Sequence, residues 1–207
     1  MYLCSTCQKE MRYMPGGICI ACGKWSDGGL MHSYCSSPID AFGSAVAYRG
    51  VVTKVIKESK YRLAAAVLEE FLEVIEPALY EKVRMVGAGS EAMIIQPIPL
   101  HPKRQRDRGF NQSEIIAKRL AKLTGYPVGK NLRRVRHNPP QAQLAHDSTR
   151  AVNVKGIFEV VDMAGVAGRD VMLVDDVVTT GSTILEAARV LKSAGARRIT
   201  AISLAKG

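Results

Sequence analysis

A run of four apolar residues that ends in two adjacent acids is the feature that most constrains the fold of this chain. Residues 171–174, Val-Met-Leu-Val, have the pattern of a strand that is buried on both faces of a parallel sheet. Asp175 and Asp176 follow directly, and a short turn rich in hydroxyl groups leads into a helix that begins near Ser182. Strand, turn and helix in this order indicate an α/β fold with this strand inside the sheet.

Apolar periodicity predicts further strands and helices before and after this segment. Strands are predicted at 42–50, 92–100, 156–161 and 199–204. Helices are predicted at 51–56, 63–79, 112–124 and 182–194, where apolar residues recur every three or four positions. Asn111 and Glu114 have the spacing of a capping box at the start of the third helix. Residues 133–150 are polar and are predicted to form a long loop.

The turn after the acid pair has the chemistry of a phosphate site. Ligands bind at the carboxyl edge of parallel sheets, and the start of a helix offers unpaired N–H groups to an anion. Carboxylates repel phosphate, so Asp175 and Asp176 suit ribose hydroxyls or a divalent cation shared with the ligand. The structural alternative, in which the acids only cap the helix, gives two adjacent carboxylates no use. The candidate phosphate loop comprises Val178, Thr179, Thr180, Gly181, Ser182 and Thr183.

The net charge of +10 is concentrated in the middle of the chain. Residues 101–150 hold twelve Lys and Arg against three acids. Such a segment favours a polyanion, although a solvated basic surface has the same composition. The cations that follow the predicted strand end are Lys103, Arg104, Arg106 and Arg108. They suit either a pyrophosphate group or the backbone of single-stranded DNA, and the sequence leaves these two ligands open.

The five cysteines all lie within the first 35 residues, which favours a metal site over a disulfide framework. Two C-x2-C pairs predict one tetrahedral Zn²⁺ held by Cys4, Cys7, Cys19 and Cys22. A redox role is the rival interpretation, but the helix that normally follows a redox pair is not predicted here. A second ligand set also stays open, namely Cys19, Cys22, His32 and Cys35. We predict a Cys-rich module at 1–40 and an α/β domain at 41–207.

Two segments resemble known families. Residues 171–183 resemble the phosphoribosyl pyrophosphate signature of type I phosphoribosyltransferases, with four apolar residues, two acids and a Thr-Gly-Ser/Thr loop. Residues 97–112, from Pro-Ile-Pro-Leu-His-Pro-Lys-Arg to Arg-Gly-Phe-Asn-Gln, resemble the hallmark of the ComF competence-protein family. The resemblance extends over the whole chain, through Gln141, Arg150, Asn153 and Phe158.

The resemblance implies a parallel-sheet type I phosphoribosyltransferase-like fold with a small N-terminal zinc module. It implies that Asp175 and Asp176 hold the ribose 2′- and 3′-hydroxyls and that the loop through Thr183 holds the 5′-phosphate. It also implies a pyrophosphate-binding loop at Lys103, Arg104 and Arg108, with Mg²⁺ sharing the negative charge. Arg150 and the loop before it match the flexible cover of these enzymes. Many family members carry further C-x2-C pairs, where this chain has His32-x2-Cys35.

The favoured hypothesis is a ComF-like protein that binds magnesium phosphoribosyl pyrophosphate and acts in the uptake of transforming DNA, with a competence helicase as partner. One alternative is a nucleobase salvage phosphoribosyltransferase, although residues 1–60 show no base-recognition signature. Another is a module that binds phosphoribosyl pyrophosphate or single-stranded DNA without chemistry. We expect a cytoplasmic protein without a membrane span, because no apolar run approaches roughly 20 residues and residues 1–4 lack the features of a secretory signal.

Overall fold

The computed structural model describes residues 3–60, 65–87, 93–136 and 154–207. The predictions that concern Leu63, the start of the strand at Ala92 and the segment 137–153 lie outside the described residues. That segment contains Gln141, Arg150 and Asn153. None of the described helices is long and apolar enough to cross a membrane.

Short antiparallel pairs accompany a larger parallel sheet. The strands are β1 (Gly17–Ile18), β2 (Trp25–Ser26), β3 (Ala41–Ala47), β4 (Met93–Pro97), β5 (Leu132–Arg134), β6 (Phe158–Val160), β7 (Asp170–Val178) and β8 (Arg198–Lys206). The helices are α1 (Ser5–Glu10), α2 (Val51–Glu58), α3 (Ala65–Met85), α4 (Pro102–Arg108), α5 (Gln112–Thr124) and α6 (Ser182–Ser193).

The parallel sheet has the order β3-β8-β7-β4, and the predicted central strand is β7. Met172 and Val174 pack in one hydrophobic cluster, and Val171 and Leu173 pack in the other. The apolar run is therefore buried on both faces of the sheet, as predicted. Residues of α3 and α5 fill the first cluster, while α6 and residues of the Cys-rich segment fill the second.

The register of the sheet leaves the acids of β7 beyond the end of one neighbouring strand. Pro97, the last residue of β4, pairs with Val174. On the other side, β8 pairs with β7 as far as Val178. Asp175 and Asp176 consequently lie at an open step in the sheet, next to the segment that follows β4.

The predicted third helix is confirmed, with the expected residues at both ends. The side chain of Asn111 accepts a hydrogen bond from Ser113 N. Gly125 ends α5 in the left-handed conformation, with φ of 78°. This helix matters for function because its start lies beside the acids of β7.

Two segments that we predicted as loops contain regular structure. Residues 102–108 form α4, since His101 caps Lys103 N, Pro102 suits the first turn, and Gly109 ends the helix with φ of 86°. The polar segment that begins at Arg133 starts inside β5, which pairs antiparallel with β6. The basic side chains are therefore carried by a helix and a strand rather than by loops.

Candidate functional site

The two acids of β7 are held by hydrogen bonds from their surroundings. Asp175 Oδ1 accepts from Ser113 Oγ at 3.0 Å and from Asp176 N at 2.9 Å. Asp176 Oδ1 accepts from Val177 N at 2.7 Å. Lys60 Nζ lies 3.5 Å from Asp176 Oδ2. The acid pair is thus oriented by the start of α5 and by a cation that follows α2.

Electrostatics at the acid pair favour the arrival of a cation or of hydroxyl donors. Burial, and after it the nearby charge of Asp176, raise the pKa of Asp175 to about 7. The hydrogen bond from Ser113 and the charge of Lys60 oppose this rise. Two carboxylates this close are costly to ionise together unless a partner stabilises the charge.

The predicted phosphate loop joins β7 to α6 at the same edge of the sheet. Gly181 caps α6 with φ of 80°, a conformation that favours glycine, and no side chain caps the helix. Thr180 Oγ1 and Ser182 Oγ lie 2.9 Å apart. The predicted residues 178–183 line one small cavity of about 40 Å³, together with Asp175, Val177 and Ile184. The loop therefore presents hydroxyl and N–H donors to a shared space, as a phosphate site requires.

A second cavity, of about 200 Å³, opens between the acids and the basic elements. The cations that line it are Lys60, Arg104, Arg108 and Arg134. The other lining residues are Ile98, Pro99, Leu100, Asn111, Gln112, Ser113, Asp175, Asp176, Val177 and Thr183. Asp175, Val177 and Thr183 line both cavities, so the phosphate loop and the cations face adjacent spaces. We call these two cavities together the ligand site.

The predicted cations do not all reach the ligand site. Arg104 and Arg108 line it, whereas Lys103 is exposed and is not among the lining residues. Arg108 is held in place by a hydrogen bond of 2.6 Å from its Nη1 to Gln112 Oε1. Helical geometry separates these side chains, because residues at i and i+1 do not face the same side.

Three residues of the ligand site were missed by sequence reasoning: Lys60, Ser113 and Arg134. Ser113 belonged to the predicted capping segment, but nothing in the spacing connected it with Asp175. Arg134 lies in a segment predicted as a loop, and its guanidinium is 5.8 Å from the centre of the Phe158 ring. No local pattern could have found them, because the tertiary fold brings them to the acids.

Two arginines of the ligand site are half-buried beside other charges. Burial lowers the pKa of Arg108; the charge of Asp176 opposes this shift, while Arg104 reinforces it. Burial also lowers the pKa of Arg134, again with Arg104 reinforcing the shift and Asp175 opposing it. Guanidinium groups stay protonated at neutral pH, so these neighbours form a preorganised cationic wall. Such a wall suits a ligand with several negative charges.

The cysteines group differently from the preferred prediction. The ligand atoms of Cys19, Cys22, His32 and Cys35 all lie within 4.8 Å of one another. This is the second of the two sets that the sequence left open. Cys4 and Cys7 lie outside that group, and their sulfurs are 3.5 Å apart. The structure does not group the two C-x2-C pairs, because the chain after β2 brings His32 and Cys35 to the second pair.

The donor set of this cluster fits a zinc ion. Three thiols and one imidazole are a usual tetrahedral zinc combination. Burial is the largest influence on Cys19 and raises its pKa, but hydrogen bonds from the backbone of His32, Cys22 and Ala21 bring the pKa down to about 6. His32 Nδ1 lies 3.3 Å from Cys22 Sγ, and its Nε2 lies 3.0 Å from the Trp25 carbonyl oxygen. A ligand histidine oriented by a backbone carbonyl is typical of zinc sites.

Comparisons with known proteins connect this geometry with a transferase domain and with bacterial DNA-related proteins. Residues 107–207 match the family described as phosphoribosyl transferase domain. The chain is 29% identical to competence protein F of Haemophilus influenzae, over 99% of this chain and 90% of that protein. It is 24% identical to competence protein ComFC of Bacillus subtilis, over 93% of this chain and 79% of that protein. It is 27% identical to the DNA utilization protein YhgH of Salmonella typhimurium, over 95% and 87% respectively.

The domain match and the parallel sheet together confirm the predicted type I phosphoribosyltransferase-like fold. The matched residues run from the end of α4 through β8, so they include the acid pair and the phosphate loop. The relatives extend the similarity to the Cys-rich segment that precedes the matched domain.

Proposed function

We propose that this chain, a ComF-like protein with a phosphoribosyltransferase fold, binds magnesium phosphoribosyl pyrophosphate in the ligand site. The observation that carries the proposal is the convergence of three kinds of group on the two adjacent cavities of the ligand site. These are the acid pair of β7, the hydroxyl-rich loop before α6, and the cations from three separate elements. A sugar that carries phosphate at one end and pyrophosphate at the other matches all three.

Each part of the ligand has a matching group in the site. Asp175 and Asp176 would accept hydrogen bonds from the two ribose hydroxyls, which relieves the repulsion between the carboxylates. The loop at residues 179–183 would donate to the 5′-phosphate. The cations that would face the pyrophosphate are Lys60, Arg104, Arg108 and Arg134. Mg²⁺ bound with the ligand would neutralise part of the pyrophosphate charge.

Calorimetry of magnesium phosphoribosyl pyrophosphate binding tests this proposal. We expect wild type to bind and Asp176→Asn to bind about tenfold more weakly, because one charge-assisted hydrogen bond is lost. Asp162→Asn is the matched control, since Asp162 is an exposed acid in the connection from β6 to β7. Equal affinity for wild type and Asp176→Asn, or no binding by wild type, would refute the assignment.

We infer that Cys19, Cys22, His32 and Cys35 hold a structural Zn²⁺. The Cys-rich segment is short, and a metal would supply part of its folding free energy. Purified Cys35→Ser should lose most of its zinc, whereas Cys4→Ser should keep about one zinc per chain, as measured by elemental analysis. Loss of zinc from Cys4→Ser with retention in Cys35→Ser would restore the four-cysteine set.

We propose that the chain acts in the cytoplasm, in the uptake or use of DNA. Relatives named competence protein F and DNA utilization protein YhgH support a role connected with DNA. Single-stranded DNA and a competence helicase are the proposed partners. The test for DNA is the affinity for a single-stranded oligonucleotide as a function of salt concentration. Affinity should fall steeply with salt if basic side chains contact the phosphates, and a flat response would remove DNA as a partner.

A further inference from the structure

One side chain, Ile20, lies between the candidate metal cluster and the phosphate loop. Two ligands of the cluster, Cys19 and Cys22, lie on either side of Ile20 in the sequence. A Cβ atom built on Gly181 would lie 3.6 Å from Ile20 Cγ1 and 3.8 Å from its Cδ1. Ile20 therefore borders the space that a side chain at position 181 would enter, which places the Cys-rich segment beside the loop.

The segment around Ile20 is held tightly by its own backbone. Cys19 N donates to the Lys24 carbonyl at 2.9 Å, and Gly23 N donates to the Cys19 carbonyl at 2.8 Å. Ile20 is only 8% exposed and belongs to the same hydrophobic cluster as Val178 and Ile184. Val178 begins the phosphate loop and Ile184 follows it. Ile20 is therefore packed against the loop, while its cysteine neighbours face the metal cluster.

Ile20 lies beside Gly181, the residue on which the conformation of the loop depends. Gly181 adopts the left-handed conformation, and its carbonyl accepts the first hydrogen bond of α6 from Leu185 N at 2.9 Å. Thr180 and Ser182, the two adjacent hydroxyl donors, lie on either side of it. A shift of Gly181 would move both donors away from a bound phosphate.

We propose that Ile20 is a positioning residue for the phosphate loop, and that the metal cluster supports the loop through it. The inference rests on the proposed binding of a phosphorylated ligand at that loop. Because coupling between two sites is reciprocal in binding free energy, a ligand on the loop should also raise the affinity of the cluster for zinc.

The principal test compares Ile20→Ala with Ile199→Ala. Ile199 lies near the start of β8, at the opposite end of the sheet, and is buried in the same hydrophobic cluster, so it controls for an equal loss of core volume. We expect Ile20→Ala to bind magnesium phosphoribosyl pyrophosphate about tenfold more weakly in calorimetry, with its zinc content unchanged. Ile199→Ala should bind like wild type. Equal affinity of Ile20→Ala and Ile199→Ala would overturn the proposal.

A second measurement needs no ligand and separates this proposal from the proposed function. Hydrogen exchange of the backbone amides at 179–183 should be faster in Ile20→Ala, and also in wild type after zinc is removed with a chelator. Ile199→Ala should leave these amides unchanged. If wild type fails to bind phosphoribosyl pyrophosphate, the proposed function fails, yet faster exchange still supports the positioning role. Unchanged exchange at these amides in Ile20→Ala and in zinc-free wild type would reject it.

Discussion

The two sides of the ligand site are built in different ways. One side, with the acid pair and the phosphate loop, comes from the single stretch 175–183. The other side takes its cations from the end of α2, from α4 and from β5, which are far apart in sequence. The first side is formed locally by one strand, the turn after it and the start of one helix. The second exists only when the whole domain is folded.

This difference predicts different responses to mutation. On the local side each group has its own hydrogen-bond role, so removing one leaves a specific gap. On the assembled side four cations share the charge of one ligand, so removing one is partly compensated by its neighbours. Substitutions on the two sides can therefore be used to separate specific contacts from shared charge.

The largest effect should come from removing both carboxylates of the local side. The double variant Asp175→Asn/Asp176→Asn should bind magnesium phosphoribosyl pyrophosphate at least about a hundredfold more weakly, because two charge-assisted hydrogen bonds to the ribose are lost. Calorimetry measures the change. An affinity within threefold of wild type, on the order of 0.6 kcal/mol, would show that the acids do not contact the ligand.

A pH titration of stability should reveal the electrostatic cost of the local side. The pKa of Asp175 is raised to about 7 in the folded protein, mainly by burial and then by Asp176. Between its unfolded pKa of about 4 and pH 7 the folded state keeps a proton that the unfolded state has lost, so the free energy of unfolding falls as pH rises. From pH 5 to pH 8, wild type should lose about 2 kcal/mol relative to Asp175→Asn in urea unfolding.

The Asp175→Asn variant also serves as the internal reference for that titration. Groups outside the acid pair titrate alike in both proteins, so the difference between the two curves is assigned to Asp175 and its interaction with Asp176. Parallel curves from pH 5 to pH 8 would mean that Asp175 is ionised throughout this range, as an ordinary exposed carboxylate would be.

Inorganic pyrophosphate and ribose 5-phosphate each carry one part of phosphoribosyl pyrophosphate. Their separate binding should distinguish the contributions of the two sides of the ligand site. Arg108→Met should weaken the binding of inorganic pyrophosphate about tenfold and leave ribose 5-phosphate unchanged, because one cation of the assembled side is lost. Lys103→Met is the matched control on the same helix, and it should affect neither ligand because Lys103 does not line the site. If Arg108→Met bound both inorganic pyrophosphate and ribose 5-phosphate more weakly, this arginine would lie between the two sides.

The smallest effect should come from one hydroxyl of the phosphate loop. Thr180→Val keeps the shape of the side chain and removes one neutral hydrogen-bond donor, so ribose 5-phosphate should bind about fivefold more weakly. Inorganic pyrophosphate should bind as in wild type. If Thr180→Val bound pyrophosphate more weakly and ribose 5-phosphate as wild type does, the loop would bind the pyrophosphate and the cations of the assembled side would bind the 5′-phosphate.

The comparison also explains what could be predicted from the sequence. The run at 171–174, the acids after it and the start of α6 are fixed by contiguous residues, and the structure has them as expected. The cap at Asn111 was found for the same reason. The resemblance to the ComF family is confirmed by relatives that align over 93–99% of the chain.

Other parts depended on contacts between distant residues, or on local signals that were overlooked. The contacts of Lys60 and Arg134 with the acids depend on tertiary packing, which periodicity does not encode. The choice between the two cysteine sets depended on the path of the chain after β2. For α4, however, the signals at His101, Pro102 and Gly109 are present in the sequence, and the loop was predicted from the family resemblance instead.

The step in the sheet beside the acids limits the insertions that such a domain can accept during evolution. β4 ends at Pro97, which pairs with Val174. The length of β4 therefore sets the width of the entrance to the ligand site. Extending that strand by two residues would pair it with the acid segment and wall the carboxylates off from any sugar. Insertions in the chain between Pro97 and His101 should thus be far less tolerated than insertions of equal size at the opposite rim of the sheet.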